Sequence, residues 1–230
     1  TVPSGRMLQI DAGQIIKTSD VSVDLNVDGR LSVNGTVAAP VIVTSRHDDS
    51  AGGDTNNNGN ATTPAIGDWS RVWFRGGSTG NSIDHADLRY GGDFFGGAVV
   101  VDSATLTMAN TRVHRSDTNA VLAINDATVN LTNNVLIGSL RAGILAASGS
   151  EVIAINNTID GNARGVVSSE GDTVVELANN LITFHSTAGV VSEGGGAVTG
   201  EFNIAFNPDA QNGDYHGLES LTGTNNNLSA

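Results

Sequence analysis

The chain has 230 residues, 24 Asp and Glu against 11 Lys and Arg, a formal charge of −13 and no cysteine. That length can bury one sizeable core, while the acidic balance excludes a nucleic-acid groove or an anionic membrane surface as partner, since both need clustered Lys and Arg. The absence of cysteine excludes a disulfide scaffold and a thiolate metal site, and no stretch stays apolar for the ~18 residues that a membrane span requires.

The N-terminus Thr1-Val2-Pro3-Ser4 has neither the basic nor the apolar part of a signal peptide, so a soluble chain is expected, either cytosolic or a processed or excised fragment. In residues 1–45, apolar clusters such as Leu8 to Ile10, Val23 to Val27 and Leu31 to Val33 alternate with turn residues. They predict short strands in irregular first coils.

Residues 46–72 form a polar insertion, a size of loop that normally has a reason. Asp54-x-Asn56-x-Asn58-Gly59 has the alternating oxygens and turn glycine of a calcium loop, with Asn60 next in line. Asp48, Asp49 and Asp68 stand at its base and could complete the oxygen shell of a Ca²⁺ ion. Ala65 occupies the twelfth position, where an EF-hand needs Glu, so the expectation is a calcium clip that pins the loop to the fold.

From Ile83 to Ala205 the sequence repeats every 23 residues. Ile83, Leu106, Val129, Val152, Val175 and Val198 are one apolar column; Ala98, Val121, Ile144, Val167 and Val190 are a second; Val113, Leu136, Ile159, Ile182 and Ala205 are a third, one step after Tyr90. A polar column runs Asp87, Asn110, Asn133, Asn156, Asn179 and ends at Phe202. Each period holds three strand-length apolar clusters parted by Gly, Ser, Asn or Asp, which predicts an all-β, right-handed parallel β-helix with three short strands per coil. The Asn column is expected to be buried at a turn and bonded from coil to coil. A leucine-rich repeat could match Val175-x-Leu177-x-Asn179-x-Leu181, but Ser168 to Asp172 could not supply its helical side. Residues 207–230, rich in Asn, Gly and Asp, are expected to cap a single domain spanning 1–230.

Catalytic candidates gather at Asp84, His85 and Asp87, near Asp93 and Asp102. Counted by 23, His85 shares a column with Met108, Leu131, Ala154 and Leu177, which turns it inward, and Asp87 merely begins the Asn column. His114 with Arg115, and His185, are expected as isolated turn residues. Trp69, Trp73, Phe74, Tyr90, Phe94 and Phe95 are six of the ten aromatics and could stack a sugar or seal a junction.

The run Leu31 to Ser45, the loop phrase Asp48 to Pro64 and Gly67-Asp68-Trp69 resemble the opening of right-handed parallel β-helix domains in large secreted bacterial surface proteins. Asn156 to Ile159 and Gly161 to Gly165 are similar to their pectate-lyase-like repeats. The resemblance implies a secreted or cell-surface location and partners among extracellular polysaccharides or neighbouring copies and domains. It also implies an excised piece, because in similar proteins a tail like Leu221 to Ala230 runs on into another coil. The first expectation is a non-catalytic, calcium-stabilised structural or adhesive module. The alternatives are a polysaccharide lyase or glycoside hydrolase using Asp84 and Asp87, or a carbohydrate-binding module built on the aromatics.

Overall fold

Residues 1–18, 21–59, 61–93, 96–217 and 227–229 are described by a computed structural model. Among them there is no helix, so none is long and apolar enough to cross a membrane. The chain winds through three parallel sheets in turn. The first runs from Met7–Asp11 to Ala197–Glu201 in eight strands, the second from Ile15–Thr18 to Leu228–Ser229 in nine, and the third from Asp24–Val27 to Tyr215–His216 in eight. Every neighbouring pair of strands is parallel and belongs to successive coils, which is the expected right-handed solenoid.

Alternate side chains point into the coil, and like stacks on like at the strand spacing of about 4.8 Å. Leu106, Val129, Val152, Val175 and Val198 form one stack on the first sheet. Leu88, Val113, Leu136, Ile159, Ile182 and Ala205 form another on the second. All but Val198 are buried, so the core is a continuous apolar shaft rather than a ball.

Three register expectations need correction. Met108 pairs with Ile83, a step of 25, so Ile83 leaves the Leu106 column and His85 leaves that of Met108. On the third sheet the inward stack is Val99, Val121, Ile144, Val166 and Val190, with steps of 22, 23, 22 and 24. Ala98 and Val167 therefore stand one place off it. A one-residue slip changes the face, and Val167 packs with Ala142, Ala188 and Val191 in a separate outer cluster. In the N-terminal coils the step is 23 from Met7 to Arg30, 27 from Ile15 to Ile42 and 47 from Asp24 to Arg71.

The buried asparagines lie one residue after the expected column. His85, Asn110, Asn133, Asn156, Asn179 and Phe202 all have φ between 49° and 58° and make the turn from first to second sheet. Asn tolerates that left-handed conformation best among residues with a side chain other than Gly. The next residue then points inward. Asn134, Asn157, Asn180, Asn203 and Asn227 are fully buried and bonded coil to coil: Asn157 Nδ2 donates to Asn180 Oδ1 at 3.0 Å and to Leu131 O at 3.0 Å. A second ladder runs through Asn162, His185 and Asn207 at the turn from second to third sheet. His185 is thus a buried rung.

Candidate functional site

The outer face of the second sheet carries a connected network of charged and polar side chains. One outer column is Ile15, Ile42, Asp87 and Arg112, and Arg89 pairs with His114 two residues further along. Because the coil step here is 25, Arg89 and His114 stand side by side on the outside. A step of 25 is two residues more than the 23-residue period, and the long connection between Tyr90 and Gly97 lies within it.

Asp87 Oδ1 lies 2.9 Å from His114 Nε2, while its Oδ2 accepts Arg89 Nε at 2.9 Å and sits 2.7 Å from Arg89 Nη2. Burial alone would raise the Asp87 pKa, but the hydrogen bonds from His114 and Arg89 and the guanidinium charge together hold it below the usual carboxylate value. An ionised Asp87 can only accept, so the His114 Nε2 that faces it carries a proton. Arg89 also reaches Asp48 Oδ2 and Ser50 Oγ, each at 3.2 Å. These carboxylates offset its burial and raise its pKa further. On the other side of the imidazole, the Tyr90 ring centroid is 6.2 Å away and the Tyr90 hydroxyl accepts Arg115 Nη1 at 3.1 Å. Asp87, Arg89 and His114 keep between 12% and 19% of their side-chain surface exposed, enough to meet a ligand from solvent. Arg112, next to Asp87 in the ladder, is exposed.

This network joins residues that the sequence kept apart. His114 and Arg115 are not isolated turn residues, and Asp87 does not start the Asn ladder. Asp84 is separated from Asp87 by the left-handed turn at His85; it accepts Asn110 Nδ2 at 2.9 Å, and His85 Nδ1, 2.8 Å away, is out of line for a hydrogen bond. Asp93 pairs with Arg71, and Asp102 accepts Asn125 Nδ2. The aromatic platform also needs correction. Trp69 and Phe74 are fully buried, Tyr90 is 8% exposed, and the Trp73 ring lies between the guanidiniums of Arg71 and Arg75 at 4.5 and 5.0 Å. Phe94 and Phe95 lie outside the described residues.

The expected calcium ligands fall into two groups. At the loop's base, Asp48 accepts Thr44 Oγ1 at 2.7 Å and the Ser50 hydroxyl besides Arg89. Burial pushes its pKa up, but these bonds and the Arg89 charge leave it lowered. Asp68 Oδ2 accepts Ser45 Oγ at 2.6 Å and the Ala65 amide at 3.0 Å. Asp49 Oδ1 is buried with no hydrogen-bond partner. At the tip, Asp54 accepts the amides of Asn58 and Gly59, which chiefly through Gly59 lower its pKa, and Asn56 and Asn58 both donate to Thr62 Oγ1. Asn60 lies outside the described residues. Among the described residues no three acidic or imidazole groups gather as a metal set.

The sequence profile described as "Right handed beta helix region" matches residues 72–229. The chain belongs to the right-handed β-helix family. Comparison with curated proteins found no match. Among solved structures it is similar to the A-module of mannuronan C-5 epimerase AlgE4 from Azotobacter vinelandii, with 13% identity, 94% of this chain and 56% of that module covered, and a TM-score of 0.54. It spans just over half of that module. The AlgE6 A-module from the same organism matches at 12% identity over 99% of this chain and 82% of that one, with a TM-score of 0.33. At such identity the β-helix family likeness is one of fold.

Proposed function

We propose that the chain is a carbohydrate-active module that acts on a uronate-bearing polysaccharide at the Asp87, Arg89, His114, Tyr90 and Arg115 network. The carrying observation is the Asp87–His114 pair: a carboxylate held ionised by Arg89 fixes the imidazole with one nitrogen open to solvent, which is the arrangement of an oriented general base. Its neighbours are guanidiniums, which suit an acidic sugar in spite of the net negative charge. The AlgE4 A-module, named as a mannuronan C-5 epimerase, is in keeping with such an activity rather than with a non-catalytic rod.

The chemistry follows from those groups. His114 Nδ1 takes the proton from the sugar carbon bearing the carboxylate, and the electron pair left behind spreads into that carboxylate, whose charge Arg112 and Arg115 offset. Two outcomes share this step. The pair returns to the carbon with a proton delivered to the opposite face by a solvent water, inverting it, or it expels the neighbouring glycosidic oxygen, which takes a proton from the Tyr90 hydroxyl and leaves an unsaturated sugar. Arg89, bound by two carboxylates, acts as a positioning residue for Asp87.

The test is incubation with polymannuronate, polyguluronate and polygalacturonate in deuterated water, following deuterium entry at the sugar carbon and the ultraviolet absorbance of unsaturated ends. His114→Gln and Asp87→Asn are each expected to lower either signal at least about a hundredfold, the scale of a lost general base. A wild type that gives neither signal on any of the three polymers would sink the reading.

A further inference from the structure

A second cationic cluster lies on the far side of the 46–70 loop. Lys17, Arg46 and His47 line an open pocket of about 450 Å³ together with Thr55, Asn56, Asn58 and Thr62. In a chain of charge −13 with a single lysine, Lys17, this gathering stands out. The Lys17 ammonium donates to Gly53 O at 2.6 Å, which uses one of its three N–H groups. Arg46 is exposed and gives its Nε to His47 Nε2 at 3.2 Å, leaving its terminal nitrogens open. Among the described residues neither Lys17 nor Arg46 forms an ion pair with a carboxylate. Two acids are close by, but Asp54 is bound to the Asn58 and Gly59 amides, and Asp68 lies 3.5 Å from His47 Nδ1 and serves Ser45.

The opposite wall offers complementary chemistry. Thr62 Oγ1 accepts both Asn56 Nδ2 and Asn58 Nδ2, at 3.2 and 2.8 Å, so its own hydrogen is left to donate. Asn56 Oδ1 is buried without a hydrogen-bond partner, a lone pair that a ligand hydroxyl can fill. A ligand that satisfies everything here carries a negative charge for Lys17 and Arg46 and a hydroxyl for Asn56, on a body small enough for the pocket. A sugar acid has all three.

We infer that this pocket binds a carboxylate-bearing sugar residue at a distance from the reacting site. Lys17 lies two residues along from Ile15, and His114 two along from Arg112, so three coils part them, about 14 Å at the coil spacing. The loop stands between, tied to Arg89 through Asp48 and Ser50 on one side and to Lys17 through Gly53 on the other. The charge and hydroxyl requirements come from the pocket alone; that the sugar belongs to the polymer turned over at His114 rests on the reading above. The pocket would then hold a remote unit of the chain and keep the module on its substrate.

The experiment is an amide NMR titration in EDTA with galacturonate and trigalacturonate, against glucose and maltotriose, on wild type, Arg46→Gln and Lys17→Gln/Arg46→Gln. Saturating shifts at Gly53, Asn56 and Thr62 with the acidic sugars only, and a Kd raised at least tenfold in the double variant, are expected. Arg46→Gln, at an exposed side chain, carries the same test if the double variant unfolds. Shifts that appear only with added Ca²⁺, or equally with neutral sugars, would overturn the inference. Deuterium exchange without shifts in this pocket would overturn it while leaving the His114 reading intact; shifts without exchange would do the reverse.

Discussion

Asn157 illustrates how a single side chain can close four hydrogen bonds inside an apolar shaft. It donates to Leu131 O and Asn180 Oδ1 and accepts the amide and side chain of Asn134 at 2.8 and 3.0 Å. Asn157→Ala leaves several buried groups unpaired and is expected to cost on the order of 3 kcal/mol, at about 1 to 3 per orphaned group. Asn156→Gly is expected to be neutral, because Asn156 is exposed at φ 58°, which glycine adopts without strain. Urea unfolding of the two variants checks both, and a cost larger at 156 than at 157 would reverse the assignment. The sequence showed the Asn-Asn pairs but not which member goes inside, since both obey the same period; only the left-handed turn at the first decides it. His185 fills an equivalent rung with an ionisable ring. Burial lowers its pKa from 6.5 to about 4, outweighing the backbone groups of Asn162 and Ile159 and the Asp160 charge, which pull it the other way. The unfolded chain therefore binds a proton that the fold refuses. Stability is full above pH 6.5 and lost as the pH falls toward 4, on the order of 3 kcal/mol in all. His185→Asn, which restores the residue type of Asn162 and Asn207, is expected to remove that part of the difference in urea midpoint between pH 7 and pH 5.

At the scale of elements, the strands were legible and the irregular connections were not. Apolar clusters of three to six residues parted by Gly and Asn mark strands whatever the coil length, so all three sheets follow from the pattern. The site is different, because it depends on one turn. Counting by 23 across the Gly91-Gly92 to Gly96-Gly97 connection turned His85 inward and hid the match between Arg89 and His114; a step of 25 recovers it. In the 46–70 loop, alternating Asp and Asn do mark an ordered turn, yet the oxygens of Asp54 close on backbone amides, a use that composition cannot distinguish from metal ligation. Calcium binding there is a proposal that a melt can decide. Asp49 Oδ1 is the carboxylate oxygen at the base that lacks a partner, and Ca²⁺ takes six to eight oxygens, so an ion must draw further ligands out of existing bonds. If it does, the melting temperature should be higher in excess Ca²⁺ than in EDTA, and Asp49→Asn should abolish the difference; equal melting in the two leaves the loop to its hydrogen bonds.

For the whole molecule, each coil touches only the coil before and the coil after, so stability is a sum of coil terms and nearest-neighbour interfaces rather than one shared core. Long columns of identical chemistry follow from this, and so does their visibility in the sequence: each rung repeats the demand that the last one made. The same logic sets how the molecule should open. Interior strands such as Thr128–Thr132 and Glu151–Ile155 are paired on both sides, while Met7–Asp11 and Ala197–Glu201 each end the first sheet with one neighbour. The Asn ladder links the same interior coils, with Asn157 bonded to Asn134 on one side and Asn180 on the other. Native-state hydrogen exchange is therefore expected to be slowest for the amides of Val129 and Val152 and progressively faster toward Met7 and Tyr215, in steps that coincide with coils. In Asn157→Ala the slowest amides should lose most protection and those near Met7 little, since the lost rung lies several interfaces away. Equal protection along all coils, or an equal loss everywhere in Asn157→Ala, would mean that the stack opens as a single cooperative unit and that the nearest-neighbour account is wrong.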